Sequence, residues 1–91
     1  MDTSFAQFEA EMRAQGFEEV LERDWAPLTR IDTHTHPFAA SALVTRGEMW
    51  LTVGDRTRHL VPGGRFELAA HEPHAERYGS EGATYWVARR S

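Results

Sequence analysis

The sequence contains no cysteine. Thiol catalysis, disulfide stapling and cysteine-held zinc are excluded, so any metal must be held by histidine, aspartate, glutamate or solvent. No apolar run approaches a membrane span, and the acidic start MDTSFAQFEAEM is unlike a signal peptide. Cytoplasm is the expected compartment, and no membrane partner is expected. Clustered positive charge is also lacking. The 10 basic residues are scattered, only Arg89 and Arg90 adjoin, and the net charge is −4 with histidines neutral. Nucleic acid is therefore not an expected partner. No repeat, linker or low-complexity stretch divides the chain. With 91 residues it makes one small domain. An apolar share of 41% suits a folded chain, but its core can be only modest.

The first segment, SFAQFEAEMRAQG, predicts a short amphipathic helix over about residues 4–15. Phe5, Phe8 and Met12 fall on one face at helical spacing. Ser4 with Gln7 makes a capping box, and Gly16 is a natural stop. The helix should pack over one end or edge of the domain. From Phe17 the period becomes that of strands: FEEVLERDW, LTRIDTHTH, SALVTRG and EMWLTV separated by Gly47, TRHLV, RFELA, HAERYG and ATYWVARR. Gly54-Asp55 predicts a hairpin, and PGG at 62–64 and SEG at 80–82 predict turns. Residues 1–16 then form an N-terminal helix and 17–91 a β-barrel, within one domain. Many short strands punctuated this way indicate a sandwich or barrel. Met49, Leu51, Val53, Phe66 and Leu68 should face its interior. Trp50 then points outward, under the helix or into a partner chain. Parity alone leaves open whether Tyr85 and Val87 or Trp86 and Ala88 face inward.

The stretch RIDTHTHPF carries the chemistry. Side chains two apart on a strand share a face, so His34 and His36 point the same way and can lean together on one ion. Pro37 suits the end of a paired segment. The alternative is two ordinary polar residues on a solvated strand. His59, flanked by Arg58, reads as surface. Of the carboxylates near His74 in sequence, Glu67, Glu72 and Glu76, the last shares its face at i+2. Phe38 and Tyr78 are placed to line a pocket mouth. No Ser-His-Asp arrangement is present.

The string DTHTH looks like that of metal-dependent amidohydrolases, but their (β/α)8 barrel needs roughly 200 residues or more. The whole chain after the helix instead resembles a small cupin of the RmlC-like, cupin 2 conserved-barrel type. The first cupin motif, G-x5-H-x-H-x3,4-E-x6-G, is matched by His34, His36 and Gly47. The second, G-x5-P-x-G-x2-H-x3-N, is matched by Gly63 and His74. The resemblance covers about residues 28–88. It implies an all-β double-stranded β-helix, a jelly-roll-like barrel, with His74 returning beside the histidine pair to complete a three-histidine site. The motif carboxylate falls on Ala40, or on Ser41 in the longer spacing. Leu28 stands for the first glycine, Ala69 for the proline, His71 for the second glycine and Tyr78 for the asparagine. His71 reads as a loop residue beside the site, with a supporting or fourth-ligand role as the alternative.

Three imidazoles leave positions open for water or substrate, as in catalytic rather than closed structural sites. Such a set suits one divalent transition metal, among iron, zinc, nickel, copper and manganese. Without the motif glutamate the site keeps the ion's full charge and should favour an anionic or enolizable chelating small molecule. The resemblance implies a dioxygenase-type oxidoreductase as the first function. A non-catalytic ligand-binding or sensor barrel is the alternative. Small cupins commonly pair, so a homodimer is expected.

Overall fold

The computed structural model describes residues 3–91. The helix α1 spans Phe5–Ala14. The Ser4 hydroxyl accepts from the Gln7 backbone N–H at 3.1 Å, and the Gln7 side chain accepts from the Ser4 N–H at 2.8 Å. At the other end Gly16 donates to the Arg13 carbonyl and Phe17 to the Met12 carbonyl, a paired closure that needs the left-handed φ of +92° at Gly16. Phe8 and Met12 are fully buried against Phe17, Leu43 and Ala88.

Six strands follow: β1 Glu19–Trp25, β2 Arg30–His34, β3 Ala39–Val53, β4 Arg56–Leu60, β5 Arg65–Leu68 and β6 His74–Arg90. All pairings are antiparallel. The long strands β3 and β6 pair from Ala39 with Arg90 to Thr52 with Ala75. β5 pairs with the first half of β3, and β1 with the last half of β6. β4 and β2 pair with the other halves. The result is two four-stranded layers, β1-β6-β3-β5 and β2-β6-β3-β4, continuous through β3 and β6. This is the expected cupin architecture.

Two sequence-derived breaks are corrected. Gly47 does not separate two strands, and SEG at 80–82 is not a turn: β3 and β6 run through both places. The glycines instead bend the strands. Gly47 and Gly82 have φ of +72° and +70°, and the β3–β6 register slips between Gly47 and Met49. A Cβ on Gly47 would run into the Gly82 carbonyl, and one on Gly82 into the Trp25 carbonyl. Glycine bulges of this kind let one strand serve two layers. The Gly54-Asp55 hairpin forms as expected, joining β3 to β4.

The core between the layers holds Val44, Met49, Leu51, Leu60, Phe66, Leu68 and Tyr78. Tyr85 and Val87 also face this interior, which settles the parity of the last strand. Trp86 faces out, and it is the tryptophan beneath the helix, with ring centroids 5.5 Å from Phe5 and 5.9 Å from Phe8. Trp50 is not under the helix. It lies on the outer face of the other layer, between the Arg77 guanidinium and the His59 ring.

Candidate metal centre

His34 ends β2 and His74 begins β6, and the two are direct cross-strand partners. His36 follows two residues after His34. The three rings converge, with centroids 4.3 Å apart for His34 and His74, 4.8 Å for His34 and His36, and 4.9 Å for His36 and His74. One ring nitrogen from each lies within 4.8 Å of the others, a cluster that could hold a metal ion.

Backbone carbonyls orient two of the rings. His34 Nδ1 bonds the Asp32 carbonyl at 2.8 Å, and His74 Nδ1 bonds the Glu72 carbonyl at 2.9 Å. A carbonyl only accepts, so each Nδ1 carries the proton and each Nε2 presents its lone pair. His74 is 2% exposed, and its Nε2 has no hydrogen-bond partner. A buried polar atom without a partner is costly, and an ion at the cluster would satisfy it. The donor set and the orphaned nitrogen both fit a divalent transition metal.

The ring of His36 stacks on Phe38 with centroids 4.8 Å apart. Burial holds its pKa below the ordinary value, and the neighbouring charges of His74 and His34 push the same way. The neutral form that a metal ligand requires is thereby favoured.

Ala40 lines the cavity, so the motif's carboxylate position is inside but empty. A carboxylate nevertheless reaches the histidines from another strand. Glu76 Oε2 lies 3.5 Å from His34 Nε2 and 3.8 Å from His74 Nε2. Its Oε1 accepts from the Tyr78 hydroxyl at 2.5 Å. Tyr78 is therefore not at the pocket mouth: it is buried beneath the site and stacks on Trp25. Burial raises the pKa values of Tyr78 and Tyr85, so both hydroxyls stay protonated and Tyr78 acts as a donor.

His71 is exposed and outside the cluster. Its backbone N–H donates to the His36 carbonyl at 2.7 Å, so it supports the site through the main chain. Its φ is +66°, and that of Leu28 is +60°. These are the two glycine positions of the cupin motifs that this chain fills with another residue. The fold keeps the left-handed backbone there although the residue has a side chain. Glu67 is exposed, and Glu72 turns back to accept from the Ala69 N–H at 3.0 Å.

A cavity of about 350 Å³ opens over the cluster. Ile31, Phe38 and Glu76 lie on the histidine side, and Trp25, Phe66 and Arg23 on the facing layer. Phe38 is at the pocket as expected. Arg23 and Trp25 were not identified as site residues from sequence. The available signal was the parity of β1, which puts Arg23 on the same face as the apolar Leu21 and Trp25.

Two antiparallel layers wrapped around a histidine-lined cavity define a cupin. The chain belongs to the AraC-like ligand binding domain family, matched over residues 17–89. Among solved structures it is similar to the cupin domain of Schizosaccharomyces pombe Cnp3, at 13% identity and a TM-score of 0.73 over 82% of this chain and 57% of that one. It is also similar to an RmlC-like cupin from Shewanella frigidimarina, at 17% identity and a TM-score of 0.68 over 79% of this chain and 65% of that one. A DMSP lyase from Ruegeria pomeroyi matches at 23% identity and a TM-score of 0.68, over 79% of this chain and 36% of that one. The chain spans less than two thirds of each of these. At such identities the likeness establishes the fold alone. No curated protein sequence matches the chain.

Proposed function

We propose that this chain is a metal-dependent ligand domain in which His34, His36 and His74 hold one divalent transition metal beneath a cavity for a small molecule. The observation that carries it is the buried, unpartnered Nε2 of His74, whose ring is fixed from behind by the Glu72 carbonyl. Bound there, the ion would supply Lewis acidity toward a chelating oxygen donor. The chain's own residues do the rest. The Asp32 and Glu72 carbonyls set the tautomers, Tyr78 holds Glu76 against the histidines, and Phe38 and Phe66 keep the cavity wall apolar.

Two activities fit this site. One is oxygen-dependent oxidation of a small chelating substrate, supported by the open positions of a three-imidazole set. The other is ligand holding without turnover, supported by membership of a ligand-binding domain family. The test is elemental analysis of protein purified without an affinity tag and then incubated with iron, zinc, copper, nickel and manganese. Stoichiometric uptake is expected, and a chain that takes up none of them would remove the metal. Oxygen consumption by the loaded protein with chelating substrates separates the two activities. The partly exposed Trp50 on an outer sheet face supports a homodimer, read as a doubled mass in light scattering.

A further inference from the structure

β1 turns Leu21, Arg23 and Trp25 to one face, and Leu21 and Trp25 both pack on the interior core. Arg23 stands directly opposite Tyr85, itself an interior residue, and lines the same cavity as the histidines. An arginine on an inward face calls for a partner. Among the described residues Arg23 makes no ion pair and no side-chain hydrogen bond. The acids beside it in sequence are occupied on the opposite face of the strand. Glu22 accepts from Trp86 Nε1 at 3.0 Å, and Asp24 accepts from the Thr84 hydroxyl at 2.5 Å. The other arginine of the cavity, Arg89, is already paired with Glu19 at 3.3 Å and lies over the Phe38 ring. Glu76 is engaged by Tyr78 and faces the histidines.

Among the described residues the guanidinium of Arg23 makes a cation–π contact, 4.9 Å from the centre of the Trp25 ring. That contact takes up none of the guanidinium's N–H donors in a hydrogen bond. Beside it, the Trp25 indole N–H is also without an acceptor. The Tyr85 hydroxyl approaches the indole, but no hydrogen bond of proper geometry forms. One wall of the cavity thus offers a metal-binding set, and the facing wall an uncompensated planar cation. Apolar side chains, Phe66 and Ile31 among them, lie between.

We propose that Arg23 is a carboxylate anchor, and that the ligand of this cavity is a small organic anion with an oxygen chelating group at one end and a carboxylate at the other. The chelating end lies toward His34, His36 and His74, and the carboxylate takes the guanidinium edge as a two-point hydrogen-bonded pair. The assignment deepens the metal-domain reading and rests on it for the chelating end only. It distinguishes this ligand from a neutral sugar, whose hydroxyls can accept from a guanidinium but carry no charge to pair with it. Arg23 is a specificity residue here and supplies no ligand to the metal.

The test titrates wild type, Arg23→Gln and Arg23→Lys with malate, lactate and arabinose by calorimetry. Zinc content and circular dichroism are measured on each sample. Malate and lactate share the α-hydroxy acid chelate, and only malate carries a second carboxylate. Wild type should prefer malate over lactate by about 10- to 100-fold, the scale of a charge-assisted hydrogen-bonded pair. Arg23→Gln should abolish that preference while keeping fold and zinc content. Arg23→Lys should retain part of it, because the charge stays and the fork is lost. Equal binding of malate and lactate by wild type, a preference that survives in Arg23→Gln, or arabinose binding above malate would each overturn the assignment. If wild type holds no zinc, the metal reading fails separately. Malate affinity of the metal-free chain then judges Arg23: dependence on it supports the anchor, and independence overturns it.

Discussion

The molecule brings histidine, glutamate and an aromatic ring together twice, with opposite outcomes. On the outer surface His59 Nε2 bonds Glu48 at 2.8 Å, and the His59 ring stacks on Trp50. Both side chains of that pair are more than two-fifths exposed, at 48% and 41%. In the cavity Glu76 faces His34 and His74 at 3.5 and 3.8 Å, and its side chain and that of His74 are nearly inaccessible. The surface group is complete: its polar atoms have each other and water. The interior group is unfinished, because His74 Nε2 is buried and makes no hydrogen bond, Glu76 stopping 3.8 Å away. The same residue types make a solvated surface contact in one place and a buried cluster that could hold a metal ion in the other. Burial and unspent lone pairs make the difference, not composition.

The largest expected effect follows directly. His34→Ala or His74→Ala should abolish stoichiometric metal, a loss beyond the ~10- to 100-fold drop that follows removal of a supporting group. His59→Ala should leave metal content unchanged. The measurement is metal per chain on folded variants, checked by circular dichroism. Interior variants that stay fully loaded would erase the distinction between the two clusters.

Next in size is the carboxylate. Glu76→Gln should weaken metal binding by ~10- to 100-fold, measured by competition with a chelator of known affinity. Tyr78→Phe removes the hydroxyl from Glu76 Oε1 and leaves that oxygen without its buried partner. A destabilisation of about 1–3 kcal/mol is expected in urea unfolding of the metal-free chain. Glu48→Gln, at the surface, should do neither.

The burial of His36 should also make stability depend on pH. His36 has a folded pKa below its ordinary value, and the unfolded ring titrates near 6.5. Between the two values the unfolded chain binds more protons than the folded one, so stability rises with pH there. The contribution is complete above 6.5 and is lost as pH falls through the unfolded value toward the folded one. Melting midpoints of the metal-free chain between about pH 5 and pH 7 should show this slope. His36→Gln should flatten it. Metal loading should steepen it, because each ligand must be neutral to bind.

Much of this contrast was legible in the sequence. Alternation put His34 and His36 on one face, the second cupin motif brought back His74, and the arginines around His59 marked it as surface. The helix was legible because its cap, stripe and stop are all local. What local reading missed were effects of distant chain. Gly47 and Gly82 look like ends of strands, and they are bends because the two long strands cross there at a distance only glycine allows. Parity pointed Trp50 outward and left Trp86 open; both face outward in the fold, and the docking of α1 selects Trp86. Tyr78 looked like a pocket residue because its depth depends on which layer lies behind it. Arg23 went unseen because an inward parity for arginine is improbable until the core shows it. At Leu28 and His71 the motif glycine held in backbone and not in residue type. Leu28→Gly and His71→Gly should therefore each stabilise the chain by about 0.5–1 kcal/mol, since relief of the left-handed backbone exceeds the added chain entropy. Thermal unfolding of the metal-free variants checks this, and lower midpoints for both would contradict it.

The smallest expected effect tests the surface cluster itself. Glu48 and His59 are bonded at 2.8 Å, a shorter separation than either contact of Glu76 with a histidine. Distance alone would rank the surface pair as the stronger. Its exposure reverses the ranking, because water competes for both groups and salt screens what remains. A double-mutant cycle of Glu48→Gln and His59→Ala, run at about pH 5 where a model imidazole is charged and a model carboxylate ionised, should give a coupling of about 0.2–1 kcal/mol. The coupling should shrink as salt is raised from roughly 0.01 M to 1 M, as the screening length falls from about 30 Å to about 3 Å. The Trp50 stack gives His59 a packing contact that salt does not touch, so the single His59→Ala effect should survive where the coupling does not. A coupling of several kcal/mol that ignores salt would mean that the surface group is shielded in solution. The homodimer proposed through Trp50 would provide that shield, and light scattering on the same samples would show it.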